Sequence, residues 1–199
     1  MNHFLSDETT AIPEVVTLQN SGMQRILNRN LLEQRMIFLW GAVQDDNART
    51  IVEQLCYLSA SSPDEPIHLY INSPGGVVTS GNAIHDMMQS VPAPVYTYCI
   101  GYAASMAATL LSAGAKGHRY VYPLAEVMIH QPSMGSFQAR GWEIEIHARQ
   151  IAKAKETSAR ILAANCGKTV AQIMADFDKD YWMNAEEAIA YGIVDRLMS

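Results

Sequence analysis

Val95-Tyr96-Thr97-Tyr98-Cys99-Ile100-Gly101-Tyr102-Ala103-Ala104-Ser105-Met106-Ala107-Ala108 is the stretch on which the reading of this chain turns. Its first six residues are rich in β-branched and aromatic types, which suit a strand. Gly101 then predicts a tight turn, and the small residues from Ala103 to Ala113 predict a helix. Strand, glycine, turn and helix put Ser105 near a helix N-terminus. Unpaired N–H groups and the positive end of the helix dipole gather there. A serine so held can attack a carbonyl while nearby amides stabilise the oxyanion. Taken alone, a serine among alanines is more often a small residue where a helix packs closely. The rest of the chain carries the argument for chemistry.

The same pattern occurs once more upstream. Ile67-His68-Leu69-Tyr70-Ile71 reads as a strand, Asn72-Ser73-Pro74-Gly75-Gly76 as a turn, and Val78 to Gln89 as a helix. Alternating strands and helices predict an α/β fold with a largely parallel sheet, in which active groups collect at the C-terminal ends of strands. Met36-Ile37-Phe38-Leu39-Trp40 is a continuous apolar run and reads as a strand buried on both faces. Asp45-Asp46 caps a helix carrying Ile51, Leu55 and Leu58. Downstream, Tyr120-Val121-Tyr122 and Val127-Met128-Ile129-His130 are short strands, and 131–141 is extended. A long helix runs from Trp142 to Asn165 and stops at Gly167. Thr169 starts a short helix, and Asn184-Ala185-Glu186-Glu187 is a capping box for another, ending at Tyr191-Gly192. Ile193-Val194-Asp195 is read as a terminal strand. Residues 1–22 form an N-terminal arm or leader, and 23–199 a single domain that opens with a short helix from Met23 to Glu33.

Composition excludes several classes. The chain of 199 residues is 49% hydrophobic and 17% charged, which is globular and not disordered. Its net charge of −6 and lack of a basic run argue against a nucleic-acid partner. Cys56, Cys99 and Cys166 form neither a CxxC nor a zinc set, which implies a reducing, cytoplasmic setting and no metal. No charge occurs between Asp86 and Lys116, but Pro92, Pro94 and Gly101 interrupt that run, so a strand and a buried helix explain it better than a membrane span. Neither GxGxxG nor GxxxxGK[ST] is present, and no cofactor is expected.

A hydrolytic serine needs a base and the base an orienting acid. Of six histidines, His130 stands apart because it ends an apolar strand just before Gln131-Pro132. His3 lies in the arm, His85 and His147 on helices, His118 beside Arg119, and His68 within a strand. Asp176, Asp178 and Asp180 cluster before Tyr181-Trp182, and spacing does not choose among them. The order Ser…His…Asp and the flanks Ala103-Ala104-Ser105-Met106-Ala107 disfavour an α/β-hydrolase, which has a G-x-S-x-G elbow and the order Ser…Asp…His.

With these residues in hand, the chain resembles the proteolytic-subunit family of the Clp protease (ClpP). The matching motifs are Ile71-Asn72-Ser73-Pro74-Gly75-Gly76, Gly101-x-Ala103-Ala104-Ser105-Met106, Met128-Ile129-His130-Gln131-Pro132, Glu143-Ile144-Glu145-Ile146-His147-Ala148-Arg149, and the run from Asp180 to Ala188 with Tyr191-Gly192. They are collinear from about residue 12 to the end. The resemblance implies a crotonase-like ββα spiral with a protruding strand–helix handle. It implies Ser105 as nucleophile, His130 as base, Asp180 as orienting acid, and the N–H groups of Gly76 and Met106 as the oxyanion hole. It further implies a serine endopeptidase assembled as two stacked rings of seven. An AAA+ unfoldase such as ClpX or ClpA/ClpC would consume the ATP and deliver unfolded polypeptides.

Three departures stand out. Ser133-Met134-Gly135-Ser136-Phe137-Gln138 is one residue longer than the family pattern and lacks its paired glycines. Lys179 replaces an arginine beside Asp180, losing the planar fork for ring-to-ring ion pairs. His68 and Ser90 replace aromatic residues of the unfoldase-docking pocket, while Tyr70 and Tyr120 remain, so weakened docking is expected. Two other readings compete. A crotonase-type acyl-CoA enzyme would not need the full set of Ser105, His130 and Asp180. A scaffold subunit working with a sister ClpP subunit fits the altered handle and docking positions better than it fits an intact triad.

Overall fold

The computed structural model describes residues 15–132 and 141–198. The chain forms two compact units that divide between Gln34 and Arg35. In the first, helix α1 spans Val15–Glu33. It starts eight residues before the expected Met23 and runs through Ser21-Gly22. A glycine inside a helix costs about 1 kcal/mol relative to alanine, which a 19-residue helix can absorb. Residues 1–14 of the expected arm lie outside the described residues.

The second unit is a mixed α/β fold. Its strands are β1 (Met36–Trp40), β2 (Ile67–Ser73), β3 (Val95–Ala104), β4 (Arg119–Val121), β5 (Glu126–Ile129), β6 (Tyr181–Met183) and β7 (Arg196–Leu197). Its helices are α2 (Asp45–Ser61), α3 (Val78–Ser90), α4 (Met106–Ser112), α5 (Gly141–Cys166), α6 (Val170–Asp176) and α7 (Ala185–Tyr191). The sheet runs β1-β2-β3-β4-β7, with β5 also on β3 and β6 on β5. Each of these pairings is parallel except β5 with β6.

The long strand β3 sets the geometry. Its first half pairs with β4, Thr97 opposite Arg119, and its second half with β5, Tyr102 opposite Glu126. Gly101 therefore does not end the strand as expected. It lies where the β2–β3 register shifts, between Ile71 and Ser73 on the partner. Because β5 offers a ladder beyond β4, the backbone stays extended to Ala104, and the turn falls on Ser105 itself.

Alternation governs β2, where Ile67, Leu69, Ile71 and Ser73 are buried and His68, Tyr70 and Asn72 face the other way. The buried face joins Leu39, Leu55, Cys99, Leu110 and Leu111 in the core. Helix α4 is buried along its whole length, which accounts for the uncharged run. The opposite face carries an aromatic ladder set by the strand register: Phe38 on Tyr70, Tyr70 on Tyr98, and Tyr98 on Tyr120, with centroids 4.5–5.2 Å apart. This face corrects the reading of β1, which is buried on one side only, since Phe38 and Trp40 are exposed. An edge strand with an aromatic outer row has the same apolar sequence as a doubly buried one.

Three smaller expectations also change. Gln44, not Asp45-Asp46, is the N-cap of α2, in a reciprocal box with Asn47, so the two aspartates occupy the first turn. The terminal strand is Arg196–Leu197, because Ile193 and Val194 are buried just after α7 and Asp195 bonds Arg119. Strand β6, absent from the sequence reading, is short and has only one buried residue, Met183. The capping box at Asn184 forms as expected, and Thr169, expected only to start its helix, does so through a second box with Gln172.

Two arginines fasten the frame. Arg35 donates to the carbonyls of Leu58, Ser62, Glu65 and Pro66, closing the C-terminus of α2 onto the start of β2. Buried Arg119 pairs with both oxygens of Asp195 and reaches the carbonyls of Ser112 and Asn165. Burial pushes the Asp195 carboxyl upward, but hydrogen bonds from Arg119 and the Gly117 N–H outweigh it and hold the group below the ordinary carboxylate value.

Candidate active site

Ser105 joins β3 to α4 with φ 58° and ψ −124°. Among the described residues only Arg35 is also a non-glycine residue at positive φ. Such a conformation costs on the order of 1–3 kcal/mol and persists only where its surroundings enforce it. Here the Ser105 N–H donates to the Met128 carbonyl at 2.8 Å, and the Ser105 carbonyl accepts from Thr109. The strained turn presents the side chain at the C-terminal end of a central strand.

His130 follows the last residue of β5, and its Nε2 lies 2.8 Å from Ser105 Oγ. Its Nδ1 lies 3.3 Å from Asp180 Oδ1. The antiparallel pair Ile129–Tyr181 explains that contact, because it brings the residue after β5 beside the residue before β6. Neither of the other two aspartates has a hydrogen bond to His130 among the described residues, and Asp178 is exposed. Asp176 accepts a hydrogen bond from the Tyr191 hydroxyl, and the Asp178 carbonyl accepts from Gln131. The structure thus brings Ser105, His130 and Asp180 together in that order. With Nδ1–H donated to Asp180, Nε2 is free to accept the serine proton.

Two glycines shape the opposite wall. Val43 donates to the Gly75 carbonyl and accepts from the Val77 N–H. In that parallel bridge the N–H of the middle residue, Gly76, points away from Val43. Met106 opens α4, so its N–H has no acceptor within the helix. A Cβ on Gly75 would lie 2.8 Å from Ser105 Cβ and 2.9 Å from Met106 N, and one on Gly76 only 2.3 Å from the Val43 carbonyl. Both positions therefore exclude side chains, which lets the backbone at Gly75 approach Ser105 and Met106 and the backbone at Gly76 pack on Val43. The close approach of Gly75 and the bridge through Val43 were not foreseen; nothing in the spacing of Val43 marks it.

Beside Ser105 and His130 is a small recess walled by Val78, Met106, Thr109, Ile129 and Leu162. Val78 and Pro132 also border a larger cleft of about 520 Å³, which extends from Gly76 to Gln150, Ile151 and Lys153 of α5.

The remaining expected residues fall in two places. His68, Tyr70 and Tyr120 lie on the aromatic face, where His68 Nδ1 is 2.8 Å from the Tyr98 hydroxyl. Burial, with Arg35 adding to it, lowers the His68 pKa below the ordinary histidine value. Ser90 lines a separate groove with Cys56, Met87 and Pro92, and its hydroxyl donates to the Asp86 carbonyl. Lys179 is exposed. The altered segment 133–138 lies outside the described residues. No described helix is long and apolar enough to cross a membrane.

The mixed sheet, in which the second half of β3 pairs with β5 and β5 with antiparallel β6, is consistent with the ClpP/crotonase fold. The chain belongs to the Clp protease family, whose sequence pattern it matches over residues 19–199. Membership makes it a subunit of a protease in a family of serine peptidases.

Proposed function

We propose that this chain is a serine endopeptidase subunit of a self-compartmentalised protease, cutting unfolded polypeptides into short peptides. The observation that carries this reading is the continuous contact from Ser105 Oγ to His130 Nε2 and from His130 Nδ1 to Asp180. Ser105 Oγ attacks the carbonyl carbon of a scissile peptide bond as its proton passes to His130 Nε2. The carbonyl π electrons move onto oxygen, facing the N–H groups of Gly76 and Met106. The carbon–nitrogen bond then breaks, and His130 returns the proton to the leaving amine. Water, activated by the same imidazole, releases the acyl group. Asp180 holds the tautomer and stabilises the imidazolium.

Family membership supports assembly into stacked rings and delivery of substrate by an AAA+ ATPase, the only consumer of ATP. The aromatic ladder and the groove at Ser90 are the surfaces expected to meet that ATPase. With His68 and Ser90 in place of aromatic side chains, docking by a ring of this chain alone is weak, and a sister subunit supplies the stronger face. The test is a fluorophosphonate probe followed by peptide mapping. Ser105 takes the label, and Ser105→Ala loses label and peptide cleavage, by about 10⁶-fold in turnover. Cleavage by the alanine variant at the original rate overturns the reading.

A further inference from the structure

We infer that Gln131 and Lys155 are positioning residues that hold Asp180 against His130, an inference that rests on the triad reading above. The Asp180 side chain is 63% exposed, and His130 at 3.3 Å is its one hydrogen-bond partner among the described residues. A surface carboxylate with one long contact does not fix itself. Its backbone must be held from both sides. On one side is the strand register, Ile129 opposite Tyr181. On the other is Gln131, the neighbour of His130.

Gln131 grips the loop before Asp180 twice. Its N–H donates to the Phe177 carbonyl at 2.8 Å, and its Nε2 donates to the Asp178 carbonyl at 3.1 Å. The Phe177 side chain is fully buried, so the near end of the loop is anchored in the core. The remaining amide atom, Oε1, accepts from Lys155 Nζ of α5 at 2.7 Å. An ammonium group only donates, so it selects the amide oxygen and turns the NH₂ toward Asp178. Lys155 Nζ also lies 5.9 Å from the Phe177 ring centroid, within cation–π reach. One residue thus ties the end of the strand that leads to His130, the loop that carries Asp180, and helix α5.

The test compares Gln131→Leu, Lys155→Met and Lys155→Arg in the assembled protein, each alone and on an Asp180→Asn background. If the link positions Asp180, the first two lower kcat about 10- to 100-fold with KM unchanged, the scale of a sub-ångström misplacement. Lys155→Arg, which still donates to Oε1, retains turnover. On the Asp180→Asn background neither substitution lowers turnover further, because residues acting through one group are not additive. Hydrogen exchange of the 177–180 segment, a readout independent of chemistry, speeds up in Gln131→Leu and Lys155→Met. Unchanged kcat, or losses that multiply in full on Asp180→Asn, overturns the inference. Should Asp180→Asn itself retain turnover, the triad reading fails, and the exchange rate alone decides whether Gln131 and Lys155 hold the loop. Lys155→Met lies on a half-buried helix position, so it serves if Gln131→Leu does not assemble.

Discussion

Gly75→Ala tests the site through its geometry without removing any reacting atom. Gly75 has φ +84°, and an added Cβ would meet Ala104 O at 2.7 Å, Ser105 Cβ at 2.8 Å and Met106 N at 2.9 Å. All three are fixed backbone or Cβ atoms, and ordinary contact begins at 3.4 Å. The β3–α4 turn must therefore retreat by about half an ångström or more, and since a 1 Å misplacement can cost ~10²-fold, turnover should fall about 10- to 100-fold. Stability also falls, by about 1–2 kcal/mol for the left-handed backbone and about 1–3 kcal/mol for overpacking. That leaves a folded protein if its stability lies within the usual ~5–15 kcal/mol. Gly41→Ala is the matched control, because Gly41 has φ +79° with nothing within 4 Å of the added Cβ. It carries the backbone cost alone and should keep full turnover. The assays are kcat on a short fluorogenic peptide, the rate of fluorophosphonate labelling at Ser105, and thermal unfolding. A Gly75→Ala variant as active as Gly41→Ala would refute the claim that Gly75 sets the position of Ser105 and Met106.

Other outcomes follow from the same contacts. Asp180→Asn should leave assembly intact and reduce turnover by about 10⁴-fold in a peptidase assay, the effect of losing the tautomer-holding acid. Asp176→Asn, which only weakens the bond from Tyr191, should lower stability by about 1 kcal/mol and leave kcat unchanged. Asp195 has a depressed carboxyl pKa in the fold, so its stabilisation is present above the unfolded carboxylate value near ~3.9 and is lost as pH falls through the lower folded value. Asp195→Asn should therefore cost about 3 kcal/mol at neutral pH in denaturant titrations, by stranding buried Arg119, and should blunt the loss of stability in acid. His68→Tyr with Ser90→Phe should strengthen association with the partner ATPase, measured by surface binding and by ATP-dependent protein degradation. Tight docking by the unsubstituted homo-oligomer would remove the case for a weakened face.

The fold was legible where local chemistry sufficed. The recurrence of strand, glycine turn and helix at Gly75-Gly76 and at Gly101 predicted the parallel sheet, and Asn184 with Glu187 capped α7 as read. What stayed illegible depends on partners distant in sequence. Nothing near Gly101 tells that β5 will extend the β3 ladder to Ala104. Nothing in Met36–Trp40 tells that its outer face will carry a row of rings and not a second helical layer. Asp176, Asp178 and Asp180 have equal claims by spacing. They separate only when the pairing of β6 with β5 brings Asp180 to His130 and when Tyr191 engages the Asp176 carboxylate. Family resemblance implied Asp180 without that reason, and the register of β6 supplies it.

Ser105 and Arg35 share a positive φ, and the contrast between them bears on function. The strain at Arg35 is matched by the four carbonyls that its guanidinium engages, so it is part of the frame. Ser105 gives up a second source of stability as well. A serine at an N-cap ordinarily accepts from an N–H of the first turn, an arrangement worth about 1 kcal/mol. Ser105 makes no such cap, and its hydroxyl is turned to His130 instead. Backbone strain of about 1–3 kcal/mol and a forgone cap fall on one residue, whose side-chain hydrogen bond among the described residues is to the imidazole. Packing alone would favour a relaxed serine bonded to its own helix. A turn that keeps the hydroxyl off the helix and on a histidine is accounted for by the chemistry proposed for it.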